Sequence, residues 1–115
     1  TCPSFLNMRG YVWMTLQLLF DVPMSLSDKH FISPFDMENW ASELDLKLSW
    51  RTFRHEQAYG SKMIIDMGKR LKNALKDAEM DNSKVEDLLM WLKSASDYES
   101  NTISNGAKGF YHFKK

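Results

Sequence analysis

The sequence predicts an all-α domain, a compact antiparallel six-helix bundle, on three observations. Apolar residues recur at three- and four-residue spacing in five or six separate windows. Helix-start chemistry precedes several of those windows, and no window reads convincingly as a strand. The connections between windows are short, which favours antiparallel neighbours. Residues 8–104 are therefore expected to form one domain, with 1–7 and 105–115 as flexible termini.

The first helix is expected from about Met8 to Phe20. Val12, Trp13, Leu16, Leu19 and Phe20 cover one broad face, while Tyr11, Met14 and Leu18 point elsewhere. A helix apolar nearly all round belongs at the centre of a core. Pro23 ends it, and residues 24–31 read as a Ser-rich loop.

The second helix lies in "SPFDMENWASEL", residues 33–44. Ser33 is a good N-cap, Pro34 fits the first helical position, and Asp36 completes a box-like pattern. Ile32 and Met37 have the spacing of a hydrophobic staple. Met37, Trp40, Ala41 and Leu44 form a stripe that buries Trp40 and leaves Glu38 and Glu43 outside.

A third helix is expected over Lys47 to Glu56, with Leu46, Trp50 and Phe53 inward and Arg51, Arg54 and His55 outward. The longest helix, about 61–79 and capped by Ser61, carries Met63, Ile64, Met67, Leu71, Ala74, Leu75 and Ala78 as its stripe. Gly68 within it costs about 1 kcal/mol relative to alanine, which suggests a close helix contact. A fifth helix opens at "DNSKVE" with Ser83 and Glu86 as a capping box and Val85, Leu88, Leu89 and Leu92 inside. A sixth, near Asp97 to Ser104, rests on Tyr98 and Ile103 alone, and "FYHFKK" reads as tail.

The composition narrows the function classes. Fifteen basic residues balance fifteen acidic ones, so net charge gives a nucleic-acid partner no support. One cysteine, Cys2, allows no internal disulfide, and no Asn-x-Ser/Thr site occurs; both favour a reducing, cytoplasmic setting. The apolar run from Tyr11 to Phe20 is about ten residues, half the ~20 that cross a bilayer, so no direct membrane insertion is expected. A chain that begins at Thr1 without a leader is expected to be a piece of a larger parent, so this domain is read as the intracellular part of a longer protein. His30, His55 and His112 stand apart from one another with no ligand spacing, and no phosphate loop or nucleophile–base pair is present. The expectation is a non-enzymatic domain without metal, cofactor or small-molecule substrate.

The stretch "DMENWASELDL" resembles the second helix of the death domain, a six-helix signalling module. Asp36, Trp40, Ala41, Leu44 and Leu46 stand at matching places, with Met37 where the family usually has tryptophan and Trp40 where it usually has leucine. The likeness is closest to the death domains of netrin-binding dependence receptors and their cytoplasmic relatives. "FDVP" at 20–23, Trp50 with Phe53, and "IIDMG" at 64–68 are similar to family motifs there. Gly68 stands where that family has a tryptophan, and the loop before the second helix is longer than usual.

That resemblance implies a Greek-key arrangement of the six helices. It also implies homotypic assembly with itself or other death-fold domains in signal transduction, in apoptosis or inflammation. Family interfaces carried to matching positions make Glu38 and Glu43, Lys69 and Arg70, and Arg51 and Arg54 the partner-binding candidates. The alternative is a helical scaffold that docks on the rest of its own parent chain. Ile65, apolar but off its helix stripe, would serve that docking together with Met14, Leu18 and Met90.

Overall fold

The computed structural model describes residues 2–24, 32–54 and 60–115. Among these the chain runs β1 (Cys2–Pro3), α1 (Met8–Phe20), α2 (Pro34–Glu43), β2 (Lys47–Phe53), α3 (Gly60–Asp77), α4 (Val85–Ser96) and β3 (Lys108–Lys114). The expected all-α six-helix Greek-key bundle is overturned. Four helices accompany a three-stranded antiparallel sheet in the order β1-β3-β2.

Over 47–53 the third helix expected for 47–56 is instead strand β2, and residues 55 and 56 lie outside the described residues. Leu46, Trp50 and Phe53 have helical spacing, but Leu48, Trp50 and Thr52 alternate, and the alternation prevails because a partner strand is available. That partner is β3, an aromatic-rich segment of high β propensity. It pairs from Lys47↔Lys114 through Trp50↔Tyr111 to Phe53↔Lys108. Trp50 and Tyr111 stack with ring centres 5.9 Å apart. Residues 105–115 are thus no tail, and Cys2 and Pro3 are tied to Gly109 and Lys108. No sixth helix forms over 97–104. Those residues turn the chain into β3, held by Thr52, whose N–H and hydroxyl both donate to Ile103 O at 2.7 and 2.8 Å.

The apolar core lies on the helices. Met63, Met67 and Leu71 of α3 are at most 2% exposed and pack with Val85, Leu89 and Leu92 of α4, while Trp13 of α1 closes the cluster. Gly68 makes the close contact its position suggested: a Cβ there would lie 2.8 Å from Leu89 Cδ1. The Ser33–Asp36 capping box is present in full, with Ser33 N donating to Asp36 Oδ2 at 2.7 Å and Asp36 N donating to Ser33 Oγ at 3.2 Å.

Several local expectations fail, among them Ser61 as a cap, which lies inside α3, and Leu44 on the buried α2 stripe, which is exposed. Lys84, not Ser83, stands at the start of α4 and makes no side-chain cap, because Ser83 N donates instead to Asp81 Oδ1 in a tight local turn. Trp40 is 43% exposed, since α2 packs on β2 and not inside a bundle. α1 buries only Gly10 and Trp13, and Leu18, Leu19 and Phe20 at its end are exposed, so it flanks the core.

Candidate functional site

The six candidate residues do not share one surface. Glu38, on α2, accepts a hydrogen bond from Trp50 Nε1 at 3.3 Å and so ties helix to strand. Glu43 is the last residue of the same helix and is exposed. Arg51 lies on a strand, its guanidinium carbon 4.8 Å from the centre of the Phe53 ring. Arg54 follows that strand and donates to Ser100 O at 3.2 Å. Lys69 and Arg70, adjacent on α3, line different hollows. Arg70 Nε donates to both oxygens of Asp66, at 3.0 and 3.2 Å.

Lys69 lines a groove between α3 and α4 of about 360 Å³. Gly68 and the buried Ile64 and Leu89 lie in it, and Gly68 lets the two helices approach closely. Ile65 on one helix and Met90 on the other also line it, 62% and 71% exposed. Both are apolar residues off their helix stripes, and the groove brings them together. Lys72 and Glu86 pair across the groove, whereas Lys69 and Lys93 have no ion-pair partner among the described residues. The surface is therefore an apolar slot edged by uncompensated positive charge.

The sheet presents a second surface. Register places Lys47, Ser49, Arg51 and Phe53 beside Lys114, His112, Phe110 and Lys108 on one face, and all eight are exposed. Neither strand contains a carboxylate. Phe53 and Phe110 meet edge to face at 4.8 Å. Sequence reasoning missed this face because it treated one strand as a helix and the other as a tail. The signal was there in two seven-residue runs, each bounded by lysine at its outer end and rich in aromatic and β-forming residues.

Among the described residues no group of three or more His, Cys, Asp or Glu is placed to hold a metal ion. His30 and His55 lie outside those residues, and His112 sits on β3. No described helix is long and apolar enough to cross a membrane. In comparisons with known proteins, no family model, curated protein or solved structure matches this chain.

Proposed function

We propose that this domain is a non-enzymatic protein-interaction module whose α3/α4 groove receives an acidic amphipathic helix from another protein. The observation that carries the reading is the pair Ile65 and Met90, both well exposed on the rim of an apolar slot. A helix laid in such a slot buries side chains spaced three and four apart. Methionine adapts to them through its flexible thioether chain. Lys69 and Lys93 select acidic flanks, since rim charges act mostly on encounter and choice of partner. Pairing with other death-fold domains would need a six-helix scaffold, which does not form. A reducing, intracellular setting belongs to the same proposal and is supported by the single cysteine and the absence of Asn-x-Ser/Thr.

The test uses amphipathic helical peptides that share one Leu-rich face and carry Glu, Gln or Lys on its flanks. Binding followed by fluorescence anisotropy should be at least tenfold tighter for the Glu peptide than for the Lys peptide. Ile65→Asp and Met90→Asp should each abolish it. Equal binding of all three peptides, or indifference to Ile65→Asp, refutes the reading. Light scattering separates another occupant: self-association that Ile65→Asp removes would give the groove to a second copy of the chain and not to an acidic helix.

A further inference from the structure

The outer face of the β2–β3 pair stays open, and the groove proposal does not rest on it. Trp50 points to the opposite face, where its Nε1 donates to Glu38 and α2 packs behind the sheet. Strand alternation then sends Lys47, Arg51 and Phe53 outward, and the register sets Lys108, Phe110 and Lys114 beside them. A strand of seven residues is about 20 Å long, so these side chains cover a flat strip of that length.

Charge and aromatic surface coincide on that strip. Lys47, Arg51, Lys108 and Lys114 make no ion pair with any described residue. Cations and anions balance over the whole chain, yet the fold gathers four cations here on strands that hold no carboxylate. The expectation against a nucleic-acid partner came from net charge, which averages such a patch away. Phe53 and Phe110 are 40% and 51% exposed. The Arg51 guanidinium lies over the Phe53 ring and Phe110 meets that ring edge to face, so charge and rings form one continuous unit.

We infer that this face binds single-stranded nucleic acid, with phosphates on Lys47, Arg51, Lys108 and Lys114 and unpaired bases stacked on Phe53 and Phe110. A row of cations suits a partner whose negative charge repeats along a backbone. Exposed rings among those cations suit one that also offers flat aromatic faces, and such stacking accepts any base. A duplex keeps its base faces within its own stack, so the strand is single. An acidic protein segment would meet the charge and leave the rings unused. Phosphate contacts and stacking are common to DNA and RNA, which the 2′-hydroxyl separates.

The experiment titrates the whole chain into fluorescently labelled oligo(dT) and oligo(rU) of about 12 nucleotides, with the oligo(dT)–oligo(dA) duplex as control, and reads anisotropy. At least one single strand should bind tenfold or more tighter than the duplex, and the preference between the two identifies DNA or RNA. Log affinity should fall against log salt with a slope of about −3, as four phosphate contacts require. Phe110→Leu, which keeps an apolar strand residue, should weaken binding about fivefold or more. Arg51→Gln and Lys114→Gln should each weaken it and reduce the slope by about 0.7. Both side chains are exposed, so these two variants fold and decide the matter even if Phe110→Leu does not. Lys69→Gln and Lys93→Gln, in the α3/α4 groove, should leave binding unchanged. Duplex bound as tightly as single strand, no binding of either strand, or indifference to Phe110→Leu or to both charge variants overturns the inference. So does capture of phosphatidylserine vesicles by a chain that ignores both oligonucleotides, since the face would then belong to a membrane.

Discussion

A methyl group added at Gly10 meets backbone, and one added at Gly68 meets only the tip of a side chain. At Gly10 the nearest atoms are Phe5 O, C and Cα, at 2.2 to 2.4 Å, which cannot give way without moving β1 and the start of α1. At Gly68 the obstacle is Leu89 Cδ1, which can swing, and alanine returns about 1 kcal/mol of helix propensity. Gly10→Ala should therefore cost about 1–3 kcal/mol, as overpacking does. Gly68→Ala should change stability by less than about 1 kcal/mol in the same urea titration. Equal losses at the two sites would contradict this account. Gly68 was legible from sequence because a glycine inside a strong helical stripe needs a reason. Gly10 was not, since the segment that presses on it is fixed by β1, whose pairing joins the two ends of the described chain.

Among the elements, α2 and α4 begin differently despite similar sequence signals. The Ser33 hydroxyl caps α2, whereas Ser83 is held away from α4 by Asp81. Ser33→Ala should lower stability by about 1 kcal/mol and Ser83→Ala by less than about 0.5, read from chemical denaturation. The reverse order would mean that the caps are wrongly assigned. Helices carry their evidence within one stretch of chain, so the α3 stripe and the α2 cap could be read locally. Strands β2 and β3 could not, because each is explained only by the other. The candidate surfaces divide the same way. Ile65 and Met90 stand out as apolar residues off their stripes, while Lys47 with Arg51, and Phe110 with Lys114, come from two separate parts of the chain and share a face only after folding. Arg51 was singled out in the sequence, but as a residue for a different surface.

The molecule as a whole is flat and long, 50 × 30 × 18 Å with a radius of gyration of 15.5 Å. A compact chain of this length has a radius of gyration of about 13 Å. Among the described residues the core cluster draws on α1, α3, α4 and Val22 and includes none of the sheet. Helices and sheet therefore differ in what holds them, apolar burial for the first and hydrogen bonds with cross-strand pairs for the second. Hydrogen exchange should show this division. Amides of Ile64 to Leu71 should outlast those of Leu48 to Arg51 and Phe110 to Phe113 by tenfold or more, because the sheet can open without the core. Uniform protection would show instead that the domain opens as a single unit.

The pairing of β2 with β3 also sets an order of events during synthesis. All of α3 and α4 lies between the two strands, so the ribosome completes the helical hairpin while β2 still has no neighbour. Bringing such distant segments together also carries the larger loop-closure entropy. In that interval β2 is an unpaired strand with aromatic side chains, open to any other strand it meets. Lys47 and Arg51 put charge on that open strand, a feature that disfavours edge-to-edge association.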